Sequence, residues 1–266
     1  MVATYLDAIE SFHRTRAQRD TRDWRSRVAH VHYDGPRLDD ALARTSGGNV
    51  KIIAEVKRRS PSKGWLGQHL DAASLALEYV AGGAAAISVL TDEAHFAGSR
   101  ADLESVATVV KVPVLRKDFT VSENDVLDAA DMGASGVLLI AAILDAGELS
   151  NFVTLALEVG LSPLVEVHDA REAHVALESG ARLIGVNQRD LHTFEVHPEH
   201  AAKIIADLPG EIIRVAESGL RTTSDVERAA DAGFDAVLVG EVFVTSPSPR
   251  ATVRNFASIS LGFQRD

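Results

Sequence analysis

The chain has no cysteine among its 266 residues. That excludes disulfides, thiolate zinc sites, iron–sulfur clusters and a cysteine nucleophile. Positive charge is also in short supply: 27 lysines and arginines against 38 aspartates and glutamates leave a formal net charge of −11. A nucleic-acid binder usually carries a basic face, so this balance speaks against one. It leaves room for an anionic small molecule, because the local field in a cleft can oppose the net charge. Long apolar runs are missing too. The longest strongly apolar stretch, Val137–Leu144, is far short of the ~20 residues that cross a bilayer. The beginning of the sequence reaches Asp7 before any apolar segment forms, so a secretory signal is not expected. These absences predict a soluble, cytoplasmic protein with neither membrane nor nucleic-acid partners.

What is present is an ordinary globular composition, 46% hydrophobic and 24% charged, which excludes bulk disorder. The strongest organisational signal is a phrase repeated four times. It reads Gly83-Ala-Ala-Ala-Ile-Ser-Val-Leu, then Gly133-Ala-Ser-Gly-Val-Leu-Leu-Ile, Gly180-Ala-Arg-Leu-Ile-Gly-Val-Asn and Gly233-Phe-Asp-Ala-Val-Leu-Val-Gly, with the glycines 50, 47 and 53 residues apart. Each glycine sits where a helix would stop in a left-handed residue. Each is followed by an apolar run suited to a strand buried on both faces. Further apolar runs at Val50–Val56, Val112–Leu115, Pro163–Val167 and Ile212–Ala216 bring the count to eight strands. Cap-like clusters at Asp71, Ser122–Asp125, Asp169–Glu172 and Thr222–Asp225 start helices between them.

Eight strands alternating with helices over this length predict a (β/α)8 TIM barrel. A doubly wound sheet would carry Gly-x-Gly-x-x-Gly after its first strand, and none follows Val56. Residues 50–266 are read as the barrel and residues 1–49 as an N-terminal helical extension of one domain. Leu6, Ile9 and His13 suit one helix face, while Arg14, Arg16, Arg19, Arg22, Arg25 and Arg27 make the stretch basic. The extension is read as a solvated helix packed across the barrel or as a flap over its mouth, and the two readings are compatible.

Barrel enzymes work at the carboxyl ends of their strands. Here these ends carry Glu55 and Lys57, Lys117, Glu166, Asn187 and Arg189, Glu217 and Ser218, and Gly240 and Glu241. Strands two and four end more quietly, at Thr91-Asp92 and Ala141-Ala142. Glu55 and Lys57 are two apart and so share a face. Two lysines and three glutamates at one mouth suit proton transfer and anion binding. Gly219 and Gly240, after strands seven and eight, let backbone approach a phosphate closely, and Ser60 lies on a polar loop after strand one. His30-x-His32 and His197-x-x-His200 are pairs without a third ligand nearby, so no metal site is expected. His168 is read as structural.

Five segments carry a close resemblance to a known family. They are Ile53-Ala-Glu-Val-Lys-Arg-Arg-Ser-Pro-Ser-Lys-Gly64; Ser88-Val-Leu-Thr-Asp92 with Phe96-x-Gly98-Ser99; Val114-Leu-Arg-Lys-Asp-Phe119; Leu164-Val-Glu-Val-His168 with Ile184-Gly-Val-Asn-Gln-Arg-Asp-Leu191; and Val215-Ala-Glu-Ser-Gly219 with Leu238-Val-Gly-Glu241. In this order they resemble the indole-3-glycerol phosphate synthases of tryptophan biosynthesis. The resemblance implies a carboxy-lyase that closes the indole ring of a phosphorylated substrate without metal or organic cofactor. It implies Lys117 as the acid on the carbonyl oxygen and Lys57 as partner of the substrate carboxylate. Glu55 and Glu166 would steer protons, Asn187 would orient a reacting group, and Glu217 and Ser218 would face the substrate hydroxyls. Ser60, Gly219, Gly240 and Glu241 match a phosphate site. Phe96, Phe119, Leu138 and Leu191 match the apolar wall around an anthranilate ring, and Leu138 reads equally well as core. Arg189 resembles a partner within the polar network. Gln188 and Trp65 depart from common family residues. A monomer or weak homodimer is expected. The rival readings are another phosphate-binding barrel enzyme, such as a Schiff-base aldolase using Lys117, and a catalytically silent barrel that binds phosphorylated ligands.

Overall fold

The four repeat glycines all adopt the left-handed backbone expected of helix stops, with φ of 100° at Gly83, 82° at Gly133, 85° at Gly180 and 103° at Gly233. A side chain there would be strained, so each helix ends and the chain turns directly into a strand. This computed structural model describes residues 5–45, 47–61, 63–189 and 196–262.

Eight parallel strands close into a barrel. They are β1 (Lys51–Val56), β2 (Ala86–Leu90), β3 (Val114–Lys117), β4 (Gly136–Ile140), β5 (Ser162–Val167), β6 (Leu183–Asn187), β7 (Ile213–Glu217) and β8 (Ala236–Val239). β1 closes the ring by pairing with β8, in a register that sets Ala54 beside Val239. Before the barrel come α1 (Tyr5–Gln18), α2 (Trp24–Val28) and α3 (Leu38–Leu42). The outer helices are α4 (Ala72–Gly82), α6 (Arg100–Val109), α7 (Glu123–Asp131), α8 (Ala146–Glu158), α9 (Ala170–Glu178), α10 (Pro198–Ala206), α11 (Thr223–Ala232) and α13 (Pro249–Ala257). Two short helices, α5 (Glu93–Phe96) and α12 (Glu241–Val244), follow β2 and β8.

The helix starts obey local chemistry. Asp71, Ser122, Asp169 and Thr222 each accept a backbone N–H from three residues on, satisfying a donor the helix leaves open. Asp145 with Glu148 forms a further capping box that the sequence reading did not single out.

The barrel interior is layered. Ile53, Leu115, Leu164 and Val215, one from each odd strand, are fully buried. Two residues further along the same strands, on the same faces, stand Glu55, Lys117, Glu166 and Glu217. Alternate strands supplying one side-chain layer is the usual packing of these barrels. Here the uppermost odd-strand layer is ionisable and the one beneath it is apolar.

Several arginines of the N-terminal stretch hold it to the barrel by ion pairs. Arg14 binds Glu148 at 2.5 and 2.8 Å and the carbonyl of Ile143 at 2.6 Å. Arg16 binds Asp125 at 2.7 Å, and Arg22 binds Asp128 at 2.7 and 2.9 Å. Arg27 joins Asn124, Asp128 and Asp131. The acidic faces of α7 and α8 therefore dock this segment. Ile9 and His13 of α1 are buried by that docking. Among the described residues, no helix is long and apolar enough to cross a membrane.

Candidate active site

The carboxyl ends of the strands enclose a cavity of about 230 Å³. Glu55, Lys57, Ser60, Phe96, Lys117, Phe119, Leu138, Glu166, Asn187, Arg189, Glu217, Ser218, Gly219, Gly240 and Glu241 all line it. The structure thus brings together the residues singled out from the sequence, with one exception. Leu191 lies outside the described residues, as does Asp190.

Lys117 is the centre of the polar floor. Its Nζ donates to Glu166 Oε2 at 2.9 Å and to Glu217 Oε2 at 3.0 Å. Burial disfavours its charge, but the carboxylates of Glu166, Glu217 and Glu55 outweigh burial and hold its pKa well above the usual lysine value. Lys117 therefore stays an ammonium. Glu166 also accepts from Asn187 Nδ2 at 3.0 Å. Burial would raise its pKa, yet Lys117, His168 and Asn187 together pull it down. Glu217 goes the other way. Burial, with repulsion from Glu166, pushes it up to about 7 against the pull of Lys117. The two neighbouring carboxyls are thus pushed in opposite directions, so that Glu166 is ionised over a pH range in which Glu217 still holds its proton. Across the mouth Lys57 pairs with Glu55.

His168, read as structural, sits beside Glu166 without lining the cavity. It stands two residues after Glu166 and so shares that residue's face. Its Nε2 lies 3.5 Å from Glu166 Oε1, and its Nδ1 lies 3.1 Å from Glu172 Oε2. Burial lowers its pKa, but hydrogen bonding to Glu172 and the charges of Glu166, Glu172 and Glu217 raise it overall.

One end of the cavity is shaped for an anion. Ser218 and Gly219 are both left-handed, with φ of 68° and 77°. A non-glycine residue held there marks stored strain. Arg189 and Arg221 line the same cavity. Burial, and then the charge of Arg221, hold the Arg189 pKa below its usual value. Glu241 begins the short helix α12, with its carboxylate 3.9 Å from Lys63 Nζ. The opposite end is apolar. Phe96 and Phe119 stack obliquely with ring centroids 6.1 Å apart. Tyr5, Leu6 and Ile9 of α1 line the cavity too. The extension therefore both packs across the barrel and roofs its mouth. The sequence reading missed Arg221 and Tyr5. Arg221 follows the Ser218–Gly219 turn, and that proximity was the available signal.

Strand two does not end quietly. Asp92 accepts from the backbone N–H of His95 and Phe96 and so caps α5. It also meets the rings of His13 and His95. This constellation was invisible in the sequence because residues 13 and 92 are 79 positions apart.

A closed (β/α)8 barrel with lysines and glutamates converging at the carboxyl ends of its strands defines an acid–base barrel enzyme. Residues 5–256 match the family model described as indole-3-glycerol phosphate synthase. Curated proteins of that name include one from Rhodococcus jostii, 49% identical over 223 residues, covering 84% of this chain and 82% of the relative. Another, from Streptomyces coelicolor, is 48% identical over 219 residues, covering 82% of this chain and 81% of the relative. The chain belongs to the indole-3-glycerol phosphate synthase family. Among solved structures, a thiamine phosphate pyrophosphorylase from Pyrococcus furiosus superposes with a TM-score of 0.60 at 18% identity, covering 78% of this chain and 93% of that one. An N-acetylmannosamine-6-phosphate 2-epimerase from Clostridium perfringens gives 0.59 at 16% identity, covering 79% and 92%. At such identities these two speak for the barrel fold alone.

Proposed function

We propose that this chain is an indole-3-glycerol phosphate synthase. It converts 1-(2-carboxyphenylamino)-1-deoxyribulose 5-phosphate to indole-3-glycerol phosphate, releasing carbon dioxide and water. The observation that carries the residue-level reading is the placement of Lys117 Nζ between Glu166 at 2.9 Å and Glu217 at 3.0 Å.

The reaction begins when the ring carbon bearing the carboxylate attacks the C2′ carbonyl of the open-chain sugar. Negative charge develops on the carbonyl oxygen, and Lys117 donates its proton there. A positioned acid of this kind contributes roughly 10²–10⁴-fold. Lys57 faces the substrate carboxylate until the C–C bond to carbon dioxide breaks and the ring regains aromaticity. Loss of the C2′ hydroxyl as water then completes the indole, with Lys57 supplying the acid for that step. Glu166 and Glu55 steer the protons, and Glu166 is the favoured acid–base. Asn187 fixes the orientation of Glu166. Glu217 and Ser218 face the substrate hydroxyls.

The phosphate lies at the end formed by Ser60, Gly219, Gly240 and the backbone N–H of Glu241. Arg189 and Arg221 favour a dianion there, and its charge would relieve their mutual repulsion. The anthranilate ring lies against Phe96, Phe119 and Leu138. The same reading makes the chain a cytoplasmic enzyme, monomeric or weakly dimeric. It also makes residues 1–49 an extension of one barrel domain.

The test is an indole-fluorescence assay in which purified protein meets the synthetic substrate in EDTA, with Lys117→Ala alongside. Product from wild type and none from the variant is the expected result. A folded wild-type protein that binds the substrate without forming indole would overturn the reading in favour of a ligand-binding barrel.

A further inference from the structure

We propose that His13, Asp92 and His95 form a structural binding site for a divalent transition-metal ion of the zinc type, which fastens α1 to the loop after β2. The three residues come from α1, from the cap of α5 and from within α5. His13 Nε2 and His95 Nδ1 approach the same oxygen, Asp92 Oδ2, at 2.8 and 3.0 Å. One ligand atom from each of the three residues lies within 4.8 Å of the other two. In tetrahedral coordination with bonds of about 2.0–2.1 Å, ligand atoms stand roughly 3.3 Å apart. The two contacts to Asp92 Oδ2 need to open by only a few tenths of an ångström to reach that spacing.

The surroundings fit a metal centre. Asp92 Oδ1 is occupied by the N–H groups of His95 and Phe96, at 2.5 and 3.0 Å. That fixes the carboxylate and presents Oδ2 alone to the centre, as outer contacts do in metal sites. The His13 ring is flanked by Phe12 and Phe119, with centroids at 5.3 and 5.2 Å. The His95 ring meets Tyr5 and Phe12 edge-on at 6.2 and 5.3 Å. His13 and Asp92 are buried, whereas the His95 side chain keeps a fifth of its surface exposed. That side gives the ion a way in and leaves a fourth position to water. Two imidazoles and one carboxylate favour zinc, cobalt, nickel or copper over magnesium or calcium.

The ion takes no part in the ring closure, because none of its three ligands lines the cavity. Its effect is mechanical. Tyr5, Leu6 and Ile9 of α1 form the roof and Phe96 forms the wall. A metal bridging residues 13 and 95 joins the two.

The test uses the full chain stripped with EDTA. Cobalt(II) is titrated in and followed by the intense visible absorption of four-coordinate cobalt, then displaced with zinc. One equivalent is expected to bind. Zinc at a hundredfold excess over its Kd is expected to raise the Tm by roughly 5–10 °C. His13→Ala and His95→Ala should lose both signals, while His200→Ala keeps them. His95 is partly exposed and its variant leaves the buried His13 in place, which guards against a misfolded His13 variant. Turnover of the metal-free enzyme in EDTA should match that of the zinc-loaded enzyme, which separates this proposal from the assignment of the reaction. Absence of the cobalt band in wild type, or its persistence in His95→Ala, would overturn the proposal.

Discussion

The carboxylate of Glu217 lies directly over the α-carbon of Gly185, where a Cβ would overlap its Oε1 atom. Gly185 is on β6 and Glu217 on β7, one strand over. The missing side chain leaves the space in which Glu217 reaches Lys117.

Gly185→Ala is therefore expected to push Glu217 off Lys117 while the barrel still folds. Displacing a reacting group by about 1 Å can cost on the order of 10²-fold. Steady-state kinetics should show kcat falling by about that factor, with an unchanged circular-dichroism spectrum. Full activity would mean that the position of Glu217 is not critical.

The raised pKa of Glu217 has a definite sign in stability. The folded state holds a proton that the unfolded state has released, between the ordinary glutamate value of 4.5 and about 7. The stabilisation from protonated Glu217 is complete below the unfolded value and is lost as pH rises through that window. Glu166, with a lowered pKa, contributes the opposite slope below 4.5. Urea denaturation from pH 4.5 to 7.5 should show a decline in wild type that is flatter in Glu217→Gln. Parallel curves would contradict the assignment.

At the anion end, Arg221→Ala should raise KM by about tenfold with kcat nearly kept, since a charge-assisted contact to phosphate acts on ground and transition states alike. Gly219→Ala should raise KM too. Its left-handed backbone, and the Val196 side chain in the way of a Cβ, would also lower the Tm. Inorganic phosphate inhibition should weaken in both variants, and unchanged inhibition would relocate the phosphate.

His168→Asn removes the imidazole between Glu166 and Glu172. Because His168 charge helps hold the Glu166 pKa down, the acidic limb of the kcat profile should move to higher pH. A uniform loss at every pH, with no shift of the limb, would reduce His168 to a packing role.

The barrel was legible because its strands and stops obey local rules. Left-handed glycines at 83, 133, 180 and 233 punctuate the sequence, and Glu55, Lys117, Glu166 and Glu217 each end an apolar run. Contacts made across the fold were not legible. Arg22 and Asp128 are 106 positions apart, and nothing local to either announces their pairing. Asp92 looked like a loop residue because its partner His13 belongs to a helix that precedes the barrel.

The apolar layer of Ile53, Leu115, Leu164 and Val215 also fixes the route of hydrons. These side chains are fully buried beneath the ionisable ring, so the floor offers no polar side chain in that layer to pass a hydron on. Hydrons for Lys117 and Glu166 then arrive from the mouth, the side on which the substrate enters, and solvent exchange at both groups is expected to slow when the cavity is filled.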